Sequence, residues 1–194
     1  MAEGKLAQDK KGARKSRATL VFLDESGSSE RPSIQRTWAP KGKTPILKLP
    51  FNWKRLSAVG ALATTPGGGK VRLFLSLRDG NVKTDTVIGF LRNLRRHIRG
   101  KVILLWDRLP AHRSKQTQKF IESRSRWLSV EFLPAYAPEL NPVELMWAYL
   151  SATDLANYGA EGLTDLAATV KRGVGRLRRK HNSGRSFLRH SGLF

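Results

Sequence analysis

Three acidic side chains stand where a folded chain could use them for chemistry. Asp24 closes the apolar run Thr19–Leu23, and Asp107 closes Val102–Trp106. Glu144 falls at the third position of a helix that opens within Leu133–Trp147, LPAYAPELNPVELMW. There Pro134 and Pro138 stiffen the approach, Asn141 has an N-cap side chain, and Pro142 suits the first helical position because its missing N–H has no intrahelical partner anyway. Brought together, three carboxylates make a hard-oxygen site that repels itself unless cations neutralise it. Each acid also has a plain structural reading. Asn-x-x-Glu before an apolar run is a capping-box pattern, with Glu144 returning to the Asn141 N–H. Asp24 and Asp107 suit strand-end turns.

The elements that must position these acids follow from periodicity. In the strand Thr19–Asp24, alternation puts Leu20, Phe22 and Asp24 on one face and turns Glu25 elsewhere. Arg36–Trp38 and Thr44–Leu49, around the turn-rich Pro40–Lys43, predict a small hairpin. Leu56–Thr64 and Val71–Leu77 predict a second pair across Thr65–Lys70 and its three glycines. Val87, Leu91, Leu94 and Ile98 then mark a helix from about Lys83 to Arg99, ended by Gly100. Val102–Trp106 is continuously apolar, as a strand buried on both faces should be. A helix over Ser114–Ser125, a strand over Leu128–Leu133 and a helix from Pro142 to about Ala156 follow. Leu163, Leu166, Ala167, Val170, Val174 and Leu177 define a last amphipathic helix, weakened by Gly173 and Gly175. The order implies an α/β fold with a mixed sheet.

Composition narrows the class of partner. The 194 residues carry 36 Lys and Arg against 15 Asp and Glu, a formal charge of +21. With a sequence pI near 11.2, that balance points to a polyanion. Residues 1–17 hold six cations against two acids, and after Asp165 there are eight cations and no acid. Both ends are candidate phosphate contacts, including Lys171, Arg172, Arg176, Arg178, Arg179 and Lys180; the alternative for each is a solvated, self-repelling end. The first 17 residues are expected to be disordered without DNA. The absence of cysteine excludes disulfides and thiolate metal sites and fits a reducing cytosol. No apolar run approaches the length of a membrane span, and no secretory signal is evident.

The segments around the acids add a resemblance. FLDESG (Phe22–Gly27), LLWDRLPAH (Leu104–His112) and LPAYAPELNPVELMW are similar, in this order, to the catalytic blocks of DDE transposases. The likeness is to the bacterial insertion-sequence branch of the Tc/mariner superfamily, and it runs from about Thr19 to about Tyr158. It places Asp24, Asp107 and Glu144 on the three catalytic acids, with separations of 83 and 37 positions that suit the family. It implies an RNase H-like fold with helices on both faces of the sheet. This divides the chain into a basic extension (1–17), a catalytic domain (18–160) and a C-terminal helix with a basic tail (161–194).

The resemblance also implies a mechanism and partners. Without Cys or evident His ligation, the acids favour Mg²⁺, with Mn²⁺ as substitute. Two ions would be held, Asp24 bridging both, Asp107 holding one and Glu144 the other. His112 and Asn141 match family positions and would support the site. Arg108 stands where relatives often carry a smaller or amide side chain, and its guanidinium suits a phosphate or a neighbouring carboxylate. Of Trp38, Trp53, Trp106, Trp127 and Trp147, some could stack on bases; core packing is expected for Trp106 and Trp147. Implied partners are DNA (element ends and target), further copies of the chain, and a helix-turn-helix recognition polypeptide or fusion, for which the residues before Thr19 leave no room. The expected setting is the bacterial cytoplasm, at the nucleoid. Two other classes remain open: a metal-dependent nuclease on the same fold, and a non-catalytic basic nucleic-acid-binding protein.

Overall fold

The computed structural model describes residues 17–47, 54–134, 137–180 and 182–192. Strands β1 (Thr19–Ser29), β2 (Arg55–Thr64) and β3 (Val71–Asp79) form an antiparallel meander. On the other side of β1, β4 (Val102–Trp106) and β5 (Leu128–Phe132) join in parallel, giving the order β3-β2-β1-β4-β5. The helices are α1 (Thr84–His97), α2 (Pro110–Arg113), α3 (Lys115–Glu122), α4 (Pro142–Ala152), α5 (Leu163–Arg179) and α6 (Ser183–His190).

Alternation along the strands splits the interior into two main cores, beside a smaller cluster of Leu56, Ala160, Leu166 and Val170. Leu20 and Phe22 of β1, Leu62 of β2 and Leu105 of β4 pack against Met146 and Trp147 of α4, Leu177 of α5 and Leu188 of α6. On the opposite face, Val21, Leu23, Leu104 and Trp106 pack against Leu91 and Leu94 of α1 and Phe120 of α3. The sheet is therefore covered on both faces, which is why β4 is apolar throughout. Gly100, at φ +86°, supplies the left-handed turn that returns the chain from α1 to β4.

Three expectations need correction. Residues 36–38 and 44–47 lie outside any strand, although the turn between them exists: the Lys43 N–H donates to the Pro40 carbonyl at 3.0 Å. Pro40 and Pro45 lack ladder donors, and the segment is exposed, with Trp38 fully so, so neither hydrogen bonding nor burial selects a hairpin. Helix α4 stops at Ala152 rather than near Ala156, because the Thr153 hydroxyl donates to the Tyr149 carbonyl (2.7 Å) and to Asp154 (3.0 Å), competing with the helical backbone. The basic tail contains α6, whose Phe187 and Leu188 are buried. The expected N-terminal extension lies, but for Arg17, outside the described residues, as do Trp53, Lys48 and Leu49. Among the described residues no helix is long and apolar enough to cross a membrane.

Candidate active site

The parallel register of β1 and β4 positions two of the acids. Phe22 pairs with Leu105, and both face the core beneath α4. Two residues further along the chain stand Asp24, still within β1, and Asp107, one residue past the end of β4, and the Asp107 charge acts on Asp24. Helix α4 delivers the third. Its N-cap Asn141 accepts from the Val143 N–H through Oδ1 (3.2 Å) and donates through Nδ2 to the Leu23 carbonyl (3.3 Å), tying the helix start to β1. One turn beyond Glu144, Trp147 donates from Nε1 to Asp24 Oδ2 at 3.0 Å. The capping box is not formed. The Asn141 N–H that it needs donates instead to the Pro138 carbonyl at 2.9 Å, and the exposed Glu144 is left for other work.

Space for the Trp147 ring comes from Gly60. It sits directly opposite Asp24 in the β1–β2 register, and a Cβ built there would lie 2.5 Å from Trp147 Cζ2. The buried indole, the carboxylate and the glycine form one packed unit.

The electrostatics show that the acids sense one another. Burial, then the charges of Glu144, Glu25 and Asp107, push the Asp24 carboxyl up to about 8, against the lowering bond from Trp147. Burial and the Asp107 charge raise Glu144. Burial also pushes Asp107 up, but the hydrogen bonds from His112 and the Leu109 N–H, with the His112 charge, outweigh it and leave Asp107 below the usual range.

His112 is the cation that makes the difference. Burial opposes its charge, yet hydrogen bonds and charges from Asp107 and Glu25 lift it to about 9. Nδ1 lies 2.7 Å from Asp107 Oδ1 and Nε2 lies 2.8 Å from Glu25 Oε1, so the protonated ring donates at both ends. Its plane stacks on Trp106 at 4.1 Å and 8°. Glu25, Asp107 and His112 offer ligand atoms within 4.8 Å of one another. A metal ion among all three would need a neutral imidazole, which both carboxylates oppose. The imidazolium already supplies the positive charge there.

Glu25 does turn away from the Asp24 face, as alternation requires, but it is no bystander, since it orients the far end of His112. Sequence reading missed this role because the contact joins residues 87 positions apart. Gly60 was missed too; its only signal is a glycine inside an otherwise apolar strand, which marks close approach of another group. His112 fixes the loop after β4. Arg108 is exposed, with its guanidinium 5.8 Å from the Phe132 ring. Trp106 and Trp147 are buried as expected, and Trp127 lies under Arg95 at 4.8 Å. Arg176 grips both Asp154 oxygens (2.7 and 2.6 Å), Arg178 donates to the Leu73 carbonyl (3.0 Å), and Arg172 donates to Thr169 (2.8 Å). Lys171, Arg179 and Lys180 are exposed.

A mixed five-stranded sheet with helices on both faces makes an RNase H-like domain, and it carries Asp24 within β1, Asp107 just past the end of β4 and Glu144 on α4. The chain belongs to the DDE superfamily of endonucleases, whose family model matches residues 19–160. A curated relative, the "insertion element IS630 uncharacterized 39 kDa protein" of Shigella sonnei, is 28% identical over 155 residues, covering 78% of this chain and 43% of its own length. The fold is similar to Mos1 transposase in a paired-end complex with the left transposon end, at a TM-score of 0.67 and 19% identity over 99% of this chain and 56% of that one. A Mos1 mariner paired-end complex with Mg gives a TM-score of 0.66 at 18% identity, covering 98% and 57%. The chain thus spans about half the length of the relatives it matches.

Proposed function

We propose that this chain is the catalytic domain of an insertion-sequence transposase that cuts DNA strands and joins them with divalent metal. The observation that supports the proposal is that burial, then the charges of Glu144, Glu25 and Asp107, raise Asp24 to about 8. A site that drives its own carboxyl toward neutrality suits a hard divalent cation, and an all-oxygen donor set favours Mg²⁺, with Mn²⁺ as substitute. Asp24, Asp107 and Glu144 would together hold two such ions. When bound, such ions lower the pKa of an attacking water or 3′-hydroxyl and stabilise the leaving oxygen.

The chain's own groups act by orientation. Both bonds that fix Asp107, from His112 and the Leu109 N–H, fall on Oδ1, so Oδ2 is the oxygen left to ligate. Trp147 holds Asp24 Oδ2 and leaves Oδ1. Asn141 sets where α4 starts and hence where Glu144 projects. No side chain is needed as a covalent nucleophile.

The proposed partners are DNA ends and target, which the charge of +21 and the paired-end complexes of the structural relatives support. Lys171, Arg172, Arg176, Arg178, Arg179 and Lys180 would meet phosphate, with Arg176 released from Asp154 or sharing its charge. The extra length of the relatives agrees with a helix-turn-helix module, joined or associated, and with action as paired copies at the bacterial nucleoid.

Nicking of supercoiled plasmid at low salt, with Mg²⁺ or Mn²⁺, tests the reading. Metal-dependent nicking by the wild type, lost in Asp107→Asn, is the expected result. Equal nicking by both proteins would overturn the assignment. Tight, metal-independent binding without nicking would favour a non-catalytic binder. Joining of a pre-cut oligonucleotide end to plasmid separates a transposase from a nuclease on the same fold.

A further inference from the structure

Away from the acids, a concavity lies against β3, the edge strand of the sheet. A cavity of about 570 Å³ wraps that edge, from His97 at the end of α1 on one face to Leu177 and Arg178 of α5 and Gly184 of α6 on the other. Lys70, Arg72, Arg178, Lys180 and Arg185 line it, and among the described residues no acid does. A second cavity of about 360 Å³ adjoins it, sharing Gly69 and Arg185 and adding Arg189 and the glycine turn Gly67–Gly68. Five or six cations without an anion repel one another, and the arginines are held in place by the backbone. Arg72 donates to the His97 carbonyl (2.8 Å), Arg178 to Leu73 (3.0 Å) and Arg185 to Gly69 (2.8 Å). Each guanidinium is anchored through one nitrogen, so its remaining N–H groups can take a phosphate.

The floor is of a different kind. Val71, Leu73 and Leu177 are apolar, and the half-buried Phe74 ring carries Arg72 above it at 5.6 Å and His97 beside it at 5.9 Å. A cationic rim over an aromatic and apolar floor is the chemistry that holds unpaired nucleotides, phosphates on the rim and bases against the floor. A duplex presents phosphates on a convex surface and keeps its bases inside. A peptide strand is opposed by Arg178, which already occupies the Leu73 carbonyl on the β3 edge, and by the charge.

We propose that this groove binds a single-stranded segment of the DNA substrate. The strand registers place Leu73 opposite Leu62 and Leu62 opposite Phe22, two residues before Asp24. Two strand spacings, about 10 Å, therefore separate the β3 edge from the β1 row that leads to the carboxylates. The groove is thus within reach of a strand engaged at Asp24. It would take an unpaired strand of the kind exposed when an element end is cut. The inference rests on the nucleic-acid substrate proposed above, not on the cleavage chemistry.

The test is fluorescence anisotropy on the whole chain in EDTA, with a labelled single strand of about 20 nucleotides and the matching duplex, long enough to fill such a site. Lys180→Glu with Arg185→Glu should weaken single-strand binding about tenfold or more and lower the slope of log affinity against log salt by about 1.4, two phosphates' worth. Arg96→Glu with Lys119→Glu, an equal charge change on other helices, should have a much smaller effect. Phe74→Leu should weaken the single strand and spare the duplex. Neutral Lys70→Gln with Lys180→Gln serves where the reversal disturbs the fold, each variant being checked by its melting temperature. Equal losses from groove and control reversals, wild-type binding by the groove variants, or an equal loss for duplex would overturn the proposal. Because binding is read without divalent metal, a failure of nicking leaves it untouched.

Discussion

Replacing Gly60 with alanine probes how the fold aims its first aspartate. The added Cβ would lie 2.5 Å and 2.9 Å from two Trp147 ring carbons and 3.0 Å from Met146 Cε. None of these is the loose end of a solvated chain, because Met146 is fully buried and Trp147 is 8% exposed. The indole must therefore tilt, losing its 3.0 Å bond to Asp24. Overpacking of this kind costs about 1–3 kcal/mol. For a domain of this size that corresponds to a fall of about 2–12 °C in melting temperature. The fold should survive it. Loss of the one contact that lowers the Asp24 pKa should push that carboxyl further above about 8 and weaken Mn²⁺ binding at neutral pH, about tenfold for each unit gained. Thermal melts of Gly60→Ala, Trp147→Phe and the double variant isolate the cause. The smaller phenyl ring leaves room for the methyl, so alanine should cost much less in the Trp147→Phe background, a coupling of about 1–3 kcal/mol. Equal cost in both backgrounds, or a Gly60→Ala protein melting like wild type, would refute the reasoning.

Other substitutions test neighbouring devices. Glu25→Gln removes one of the two charges that hold the His112 proton, so the imidazole should titrate below its present value of about 9, read by ¹⁵N NMR of the ring in metal-free protein. An unchanged titration would mean that Asp107 alone sets it. Gly173→Ala should destabilise by about 1–3 kcal/mol, because its Cβ would lie 2.6 Å from Leu150 and 2.9 Å from Asp154, where α5 crosses α4. Gly175→Ala, whose nearest neighbour is an Arg179 nitrogen at 3.7 Å, should instead stabilise by up to about 1 kcal/mol through helix propensity. Chemical denaturation of the pair decides whether these two glycines differ as the packing requires.

What the sequence revealed of this site depended on how local the cause was. Asp24 and Asp107 were legible because each ends an apolar run, and a run that is buried on both faces can only be a central strand. The start of α4 was legible from Asn141 and Pro142, whose effects act within a turn. The fate of Glu144 was not. Whether it caps its own helix depends on where the Asn141 N–H goes, and Pro138 takes it through a short 3₁₀ turn that periodicity does not show. Glu25 and Gly60 were hidden for a related reason, since their partners His112 and Trp147 lie on distant elements. The apparent hairpin at residues 36–47 failed in the opposite sense: its local turn chemistry was right, but no sheet edge or core adopted the flanks. Burial in α6 escaped notice because Phe187 and Leu188 are isolated among cations, and only the docked face gives them meaning.

The carboxylate centre sets function against stability, and pH exposes the conflict. Asp24 has an ordinary value of 3.8 and a folded value of about 8, so the native state binds a proton that the unfolded chain releases. Stability contributed in this way is present below about pH 4 and declines as pH rises through 8, by up to about 1.4 kcal/mol per pH unit for one proton. His112, raised from 6.5 to about 9, acts in the same direction between those values. Metal-free wild type should therefore lose melting temperature from pH 5 to pH 6.5, where Asp24 acts together with the raised Glu144, and continue to lose it up to pH 9. Asp24→Asn keeps an oxygen acceptor for Trp147 and carries no charge, so its curve should fall much less than the wild type's over the first interval, with the remainder left to Glu144. Added Mn²⁺ should raise the wild-type curve most where Asp24 is ionised, since a ligand that binds only the folded state stabilises it by mass action, and should do little for the variant. Asp24→Asn, which the proposed function expects to be inactive, should then make the metal-free domain more stable at alkaline pH. Parallel curves for the two proteins between pH 5 and 6.5 would mean that Asp24 is not held in the repulsive, buried setting described, and the case for a cation-dependent centre would lose its main physical support.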